Sequence, residues 1–229
     1  DGTTLVIGLA GVLTASAPIV VATIGETFAE RAGVINLSVN GTILLAAMAS
    51  FVVAMSSGSL VLGFITGAAV GAVVALIVAF GSITLRQSQV AIGFVLTLFC
   101  RDLAYFLGNP FMGSQGPILS VHPIPLLEKI PVLGTMFFKQ DIMTYFSFVL
   151  IVVAWLWIFR TRPGLVLRAV GERPEAAFAR GARVNLIRYL YTVLGGALVG
   201  LAGPMFSLSV KAGWKGTISG LDGLGWIVL

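Results

Sequence analysis

Long runs of apolar residues, separated by short polar segments, make up most of the chain. A helix needs about 20 apolar residues to cross the hydrocarbon core of a bilayer. Runs of about that length lie at 5–24, 37–55, 60–80, 90–107, 142–159 and 189–210. Strands of an outer-membrane barrel are shorter, at about 10 residues, and alternate in polarity. The pattern therefore predicts an all-α fold, a polytopic bundle with at least six transmembrane helices.

The composition agrees with a membrane location. Of the 229 residues, 58% are hydrophobic and 10% are charged, whereas soluble domains carry about 25% charged residues. Too few polar groups are present to cover a water-facing surface. The chain opens on Asp1 and stops inside an apolar segment at Leu229. We therefore expect residues 1–229 to be one transmembrane domain, incomplete at its C-terminal end, with at least one more span beyond residue 229.

Positive charge predicts the orientation, because short cytoplasmic loops are rich in lysine and arginine. Segment 160–188 carries seven arginines at positions 160, 162, 168, 173, 180, 183 and 188. This loop is predicted to be cytoplasmic, together with the loop at Arg86, and residues 108–141 are predicted to lie outside. The net charge of +5 then follows from topology, and no nucleic-acid partner is expected.

The chain offers little chemistry for an enzyme. It has one cysteine, Cys100, and one histidine, His122, so it predicts no internal disulfide and no His/Cys metal site. No nucleophile–base pair stands out, and the G-x-x-x-x-G-K-[ST] phosphate loop is missing from the sequence. We expect no catalytic residue, no metal and no cofactor in this chain.

Glycines at intervals of four residues predict close helix packing. Gly63, Gly67 and Gly71 share a face of the third span, and Gly196 and Gly200 repeat the spacing in the sixth. Small residues at this interval let two helix backbones approach each other in lipid.

The polar stretch 25–41 can be interpreted in two ways. Its five conspicuous polar residues are Glu26, Glu30, Arg31, Asn36 and Asn40. They could form a solvated inner loop, which topology favours for Glu26, Glu30 and Arg31. Alternatively, bends at Gly25, Gly33 and Gly41 could give a broken helix whose polar groups line a cavity. Asn36 and Asn40 are predicted to enter the second span on one face and to line the substrate path.

A second pair of charges, Arg101 and Asp102, interrupts the fourth span. Arginine can extend its charged end to the membrane interface, so a structural role is predicted for this pair.

A short helix is predicted at 174–180 in the arginine-rich loop. Pro174 suits the first helical position and Gly181 the position after the end. Glu172 and Glu175 lie near the start of the helix and Arg180 near its end, as the helix dipole favours. Phe178 is expected to be exposed. Such a short helix is marginal alone, so the bundle or another protein must hold it; a turn resting on lipid headgroups is the alternative.

Two motifs give the sequence a family resemblance. "ERAGVINLSVNG" and "RTRPGLVLRAVGERPEAAFARGARVNLIRYLYTVLGGALVGLAG" resemble the permease subunits of ATP-binding-cassette importers, in the nucleoside and simple-sugar branch related to ribose and branched-chain amino-acid permeases. The positions that match the first motif are Glu30, Arg31, Gly33, Asn36 and Gly41. Those that match the second are Gly171, Glu172, Pro174, Ala176, Ala177 and Gly181. Ser38, Asn40 and Arg173 depart from the usual Gly, Glu and Asn, and the missing carboxylate at position 40 bears on the substrate more than on the fold.

The resemblance implies a function and a set of partners. The chain would form the translocation path for a nucleoside or simple sugar in a prokaryotic plasma (inner) membrane. Its path residues would be Glu30, Arg31, Asn36 and Asn40. The loop helix would dock on an ATPase subunit that uses ATP, through Gly171, Glu172, Pro174, Ala176, Ala177, Phe178 and Gly181.

Other partners and alternatives follow from the same resemblance. A second permease subunit, more readily a different chain than an identical one, an extracytoplasmic substrate-binding protein and membrane lipid would complete the assembly. The alternatives are a branched-chain amino-acid permease of the same family, or a secondary transporter or channel that acts without an ATPase.

Overall fold

The computed structural model describes residues 2–125, 133–215 and 222–229. Ten α-helices lie in this part of the chain, and six of them are long and apolar enough to cross a membrane. These six are α1 (Gly2–Arg31), α2 (Val39–Ser57), α3 (Leu60–Ala79), α4 (Gln89–Gly108), α6 (Ile142–Arg160) and α9 (Val184–Met205). The predicted all-α class and the six predicted spans are confirmed.

Shorter elements connect and extend the spans. The remaining helices are α5 (Leu133–Phe137), α7 (Arg162–Glu172), α8 (Pro174–Ala179) and α10 (Gly225–Val228). A π-helical turn prolongs α3 over Phe80–Thr84, and a second prolongs α9 over Phe206–Val210. A 3₁₀ turn, Asn109–Phe111, follows α4.

Local sequence explains where several helices begin. Asp141 precedes α6, and its carboxylate accepts a hydrogen bond from the Thr144 amide at 2.8 Å. Thr161 precedes α7, and its hydroxyl accepts from the Gly164 amide at 3.1 Å. These side chains satisfy amide groups that the first turn of a helix leaves without an intrahelical partner.

The core lies along α2 and α9. About two thirds of each of these spans is buried inside the chain, against about a fifth of α1, α4 and α6. Phe51 on α2 and Met205 on α9 are among the largest fully buried side chains. The bundle is therefore organised around two inner spans, and the others expose most of their surface.

The predicted glycine contacts are confirmed between α3 and α9. A Cβ atom built on Gly71 would overlap the carbonyl oxygen of Gly196, and one on Gly200 would overlap that of Gly67. The two backbones touch along these positions, so no larger side chain fits without separating the helices.

The loops sort to the two ends of the bundle in the predicted alternation. At one end the Ile35 amide donates to Gln89 Oε1 at 2.9 Å, and the hydroxyls of Thr84 and Tyr189 lie 2.5 Å apart. This end also carries α7 and α8, and we call it the arginine-rich end. At the opposite end the Leu119 amide donates to the Leu208 carbonyl at 2.8 Å.

Candidate functional site

The polar stretch 25–41 forms a tight junction between α1 and α2. Helix α1 runs without interruption to Arg31, and the chain turns at Gly33, whose φ is +85°. The bend predicted at Gly33 is therefore present. Those predicted at Gly25 and Gly41 are wrong, because each lies inside a helix, where the missing side chain lets α1 approach α9 and α2 approach α4.

Glu26 is buried, which corrects the prediction that it is solvated. Only 2% of the residue is exposed, and its Oε1 accepts a hydrogen bond from the Asn36 amide at 2.8 Å. The uninterrupted α1 turns Glu26 toward the bundle, and the loop returns over it. Glu30 and Arg31 are exposed, as predicted, with the Arg31 guanidinium 5.9 Å from the centre of the Phe159 ring.

Asn36 lies in the junction loop, before helix α2 begins at Val39. Its Oδ1 accepts from the Ser38 amide at 3.1 Å and from the Ser38 hydroxyl, which is itself 3.3 Å from the hydroxyl of Thr42. The expectation that Asn36 and Asn40 share one helix face is therefore wrong. Asn36 instead orders the loop that leads into the helix.

Asn40 fixes the C-terminal segment, residues 222–229, to α2. Its Nδ2 donates to Asp222 Oδ1 at 3.0 Å, and its Oδ1 accepts from the amides of Gly223 at 2.9 Å and Gly225 at 3.2 Å. The side chain is 2% exposed. Sequence reasoning missed Asp222, because the two partners are 182 residues apart. The one signal in the sequence is an amide side chain inside an apolar span, which needs a hydrogen-bond partner.

The four predicted path residues thus occupy two environments. Glu30 and Arg31 are exposed at the arginine-rich end, and Asn36 and Asn40 are buried with hydrogen-bond partners in the same chain. Their role in the substrate path stays a prediction.

The predicted loop helix is present as α8. It begins at Pro174 and ends just before Gly181, whose φ is +86°. Phe178 is 73% exposed, as expected. Ala177 is 7% exposed and lies between α7 and α8, and its part in docking a partner stays a prediction.

An apolar groove of about 670 Å³ lies between α7 and α8. Its floor is aliphatic and its rim is charged, with Glu172, Arg173 and Arg180 beside it. The aliphatic residues are Leu165, Val166, Ala169, Ala176, Ala177 and Ala182. Together with Phe178, this groove gives the arginine-rich end an exposed apolar surface of the kind that binds another protein.

The structure brings the two sequence motifs into contact. A Cβ atom built on Gly171 of α7 would overlap the carbonyl oxygen of Arg31 at the end of α1. One built on Gly33 would lie 3.6 Å from the Cα of Gly171. Helix α7, against which α8 packs, therefore rests directly on the α1–α2 junction, which Glu26 and Asn36 hold together.

Arg101 and Asp102 form an ion pair on α4. Arg101 Nε lies 3.1 Å from Asp102 Oδ1, and the two side chains are 34% and 69% exposed. Arg101 thus pairs with its neighbour, and its predicted structural role stays a prediction.

Comparison with known proteins gives the family. Residues 8–229 match the family model described as "Branched-chain amino acid transport system / permease component". A putative glucose ABC transporter permease protein of Haloferax volcanii is 34% identical over 94% of this chain and 66% of its own length.

Two bacterial relatives are similar to a comparable degree. A nucleoside ABC transporter permease protein of Lactococcus lactis is 33% identical over 99% of this chain and 74% of its own length. A guanosine ABC transporter permease protein of Bacillus subtilis is 29% identical over 93% and 70%. The chain thus spans about two thirds to three quarters of these relatives. No solved structure matches it with significance.

Proposed function

Because the chain belongs to the family of branched-chain amino acid transport system permease components, we propose that it is the membrane-spanning subunit of an ATP-driven importer. It is a multi-pass protein of the prokaryotic plasma membrane. Members of this family are transport subunits, and we assign ATP hydrolysis to a partner polypeptide. The cytoplasmic side is the arginine-rich end, as its charge indicates.

The proposed substrate is a nucleoside or a simple sugar. The names of three relatives support this choice, since one is a putative glucose permease and the others are nucleoside and guanosine permeases. A branched-chain amino acid, which the family description mentions, is the alternative within the family. A transporter or channel without an ATPase is not favoured, because these relatives are all ABC transporter permeases.

The observation that carries the proposal is the geometry of α7 and α8. An exposed phenylalanine and an apolar groove lie at the arginine-rich end, on helices that contact the α1–α2 junction through Gly171. A partner that binds there and moves would push directly on two spans. We therefore propose that α8 is the contact through which the ATPase subunit drives the transport cycle.

Two further partners complete the proposed assembly. A second, related permease subunit would cover part of the spans that this chain leaves mostly exposed, among them α4 and α6. An extracytoplasmic binding protein would deliver the substrate to the opposite end of the bundle.

Replacing Phe178 by alanine tests the coupling contact. A buried aromatic anchor often contributes about 2 kcal/mol or more to an interface, so we expect the ATPase subunit to bind at least about thirtyfold more weakly. The measurements are retention of the ATPase subunit in a detergent pull-down and uptake of labelled guanosine and glucose.

The matched control is Phe137→Ala in α5, the same change at the opposite end of the bundle, where the side chain is 36% exposed. The control should keep the ATPase subunit bound. If Phe178→Ala retains the subunit and supports uptake as well as the control does, α8 is not the coupling contact.

A further inference from the structure

Asp102 stands at an unusual depth for an exposed carboxylate. It lies six positions before Gly108, the last residue of α4, which is about 9 Å along the helix axis. Its side chain is 69% exposed. An arginine at this depth can extend its charged end toward the interface, but the aspartate side chain is too short to do so.

Lipid is a poor environment for this group. Ionisable side chains inside spans are rare, and they nearly always face the protein interior or a water-filled cavity. The ion pair with Arg101 reduces the charge but leaves most of the Asp102 carboxylate uncovered. The face of α4 that carries Asp102 must therefore look onto water or protein.

The neighbourhood of this face has a definite chemical character. Asp222 belongs to the C-terminal segment, which lies beside α4 through the rings of Trp226 and Phe94, and Asn40 orients the Asp222 carboxylate through the 3.0 Å hydrogen bond. Aromatic side chains that are at least partly exposed flank these charges along α4. The ring centres of Phe94 and Trp226 lie 5.6 Å apart, and Tyr105 lies half-buried beside the fully buried Trp214.

We propose that this face of α4 lines a water-filled section of the translocation path, in which Asp102 and Asp222 accept hydrogen bonds from the hydroxyl groups of a sugar moiety. Carboxylates accept from hydroxyls with charge-assisted strength, and aromatic rings offer apolar faces against which a sugar or base can lie. This inference rests on the proposed function. It adds Arg101, Asp102 and Asp222 to the substrate path and a preference for uncharged solutes.

The preference concerns charge. Two carboxylates and one guanidinium leave this site with a net charge of about −1. A phosphorylated sugar or a nucleotide would be repelled, whereas the uncharged nucleoside or sugar would not. The site therefore selects unphosphorylated solutes.

Cysteine labelling tests the proposal in the assembled complex. Cys100 is the single cysteine of residues 1–229, so Cys100→Ala removes the thiol from these residues, and Asp102→Cys is added to that background and compared with the background alone. The matched control is Val149→Cys on α6, which is 60% exposed and lies seven positions from Ile142, the start of its span. The probe is a membrane-impermeant sulfonate thiol reagent.

We expect Asp102→Cys to react at least about tenfold faster than Val149→Cys, because thiols ionise and react in water and not in hydrocarbon. Saturating guanosine or glucose should slow the reaction. Leu98→Cys, one helical turn away and 49% exposed, repeats the test if Asp102→Cys fails to assemble.

Two results overturn the proposal. One is labelling of the α4 positions as slow as that of Val149→Cys, which means that lipid or a tightly packed subunit covers them. The other is fast labelling that neither solute changes. Uptake by the unsubstituted complex distinguishes failure of the proposed site from failure of the proposed function. If the complex takes up guanosine or glucose while labelling fails, only the site on α4 is wrong. If it takes up neither solute, the proposed substrate class is wrong.

Discussion

Helices α2 and α4 are nearly equal in length and equally hydropathic over their most apolar stretches, yet they occupy different environments. About two thirds of α2 is buried inside the chain, against about a fifth of α4. The polar side chain of Asn40 on α2 has three hydrogen bonds to the C-terminal segment. Asp102 on α4 pairs with the adjacent Arg101 and stays mostly exposed.

This comparison separates two reasons for a polar residue in a span. Asn40 is enclosed and bonded, as expected of a residue that fixes one segment to another. Asp102 is left exposed by its own chain, as expected of a residue that contacts a solute or another subunit. Hydropathy predicts entry into the membrane for both helices and does not distinguish the two roles.

The largest effect on stability is expected from Gly41→Val, which disrupts the contact between α2 and α4. A Cβ atom at this position would overlap the backbone of Thr97 on α4, so the helices must separate. We expect a loss of about 3 kcal/mol, the upper end of the usual cost of overpacking, because the Cβ atom would meet backbone atoms, which cannot turn aside as a side chain can. Thermal unfolding in detergent measures it. Gly11→Val on α1 is the control, because nothing lies within 4 Å of that position, and an equal loss there would mean that the contact is unimportant.

A smaller effect is expected from Asn40→Asp, which sets a second carboxylate against Asp222. Like charges at hydrogen-bond distance in a partly buried site should cost about 2 kcal/mol, again measured by thermal unfolding. The double variant N40D/D222N restores a donor and an acceptor in exchanged positions, so it should recover most of the loss. If the double variant is no more stable than Asn40→Asp alone, the hydrogen bond between these residues does not fix the C-terminal segment.

The smallest effect on stability is expected from Asp102→Leu. The carboxylate is mostly exposed in the chain, so its removal should change the free energy of unfolding by no more than about 0.5 kcal/mol. Uptake should fall nonetheless if the residue contacts the solute. A loss of stability as large as that of Asn40→Asp would place Asp102 among the structural polar residues and remove the contrast between the two helices.

Much of the fold was predictable because it depends on local properties. The length of each apolar run predicts a span, and the bundle has the six that were expected. Pro174 and Gly181 bound a helix through backbone constraints alone, and α8 lies between them. The glycines of α3 and α9 predict a close crossing, because only small residues allow it.

The polar stretch was less predictable, because burial depends on what the rest of the chain places against it. Glu26 and Glu30 are the same residue type four positions apart in one helix, yet one is 2% exposed and the other is open to solvent. The same limit applies to Ala176 and Ala177, of which only the second is buried.

The amino-acid sequence predicts at least six membrane-spanning helices, the ends of four of them (α2, α3, α4 and α6) to within two residues, and the family to which the chain is similar. Only the folded structure shows that Gly171 contacts Arg31, that Asn40 is bonded to Asp222, and that Asp102 has no such cover. The difference is one of range. Hydropathy, caps and glycine spacing act over a few residues, whereas a polar group in a span takes its role from a partner that can lie 182 residues away.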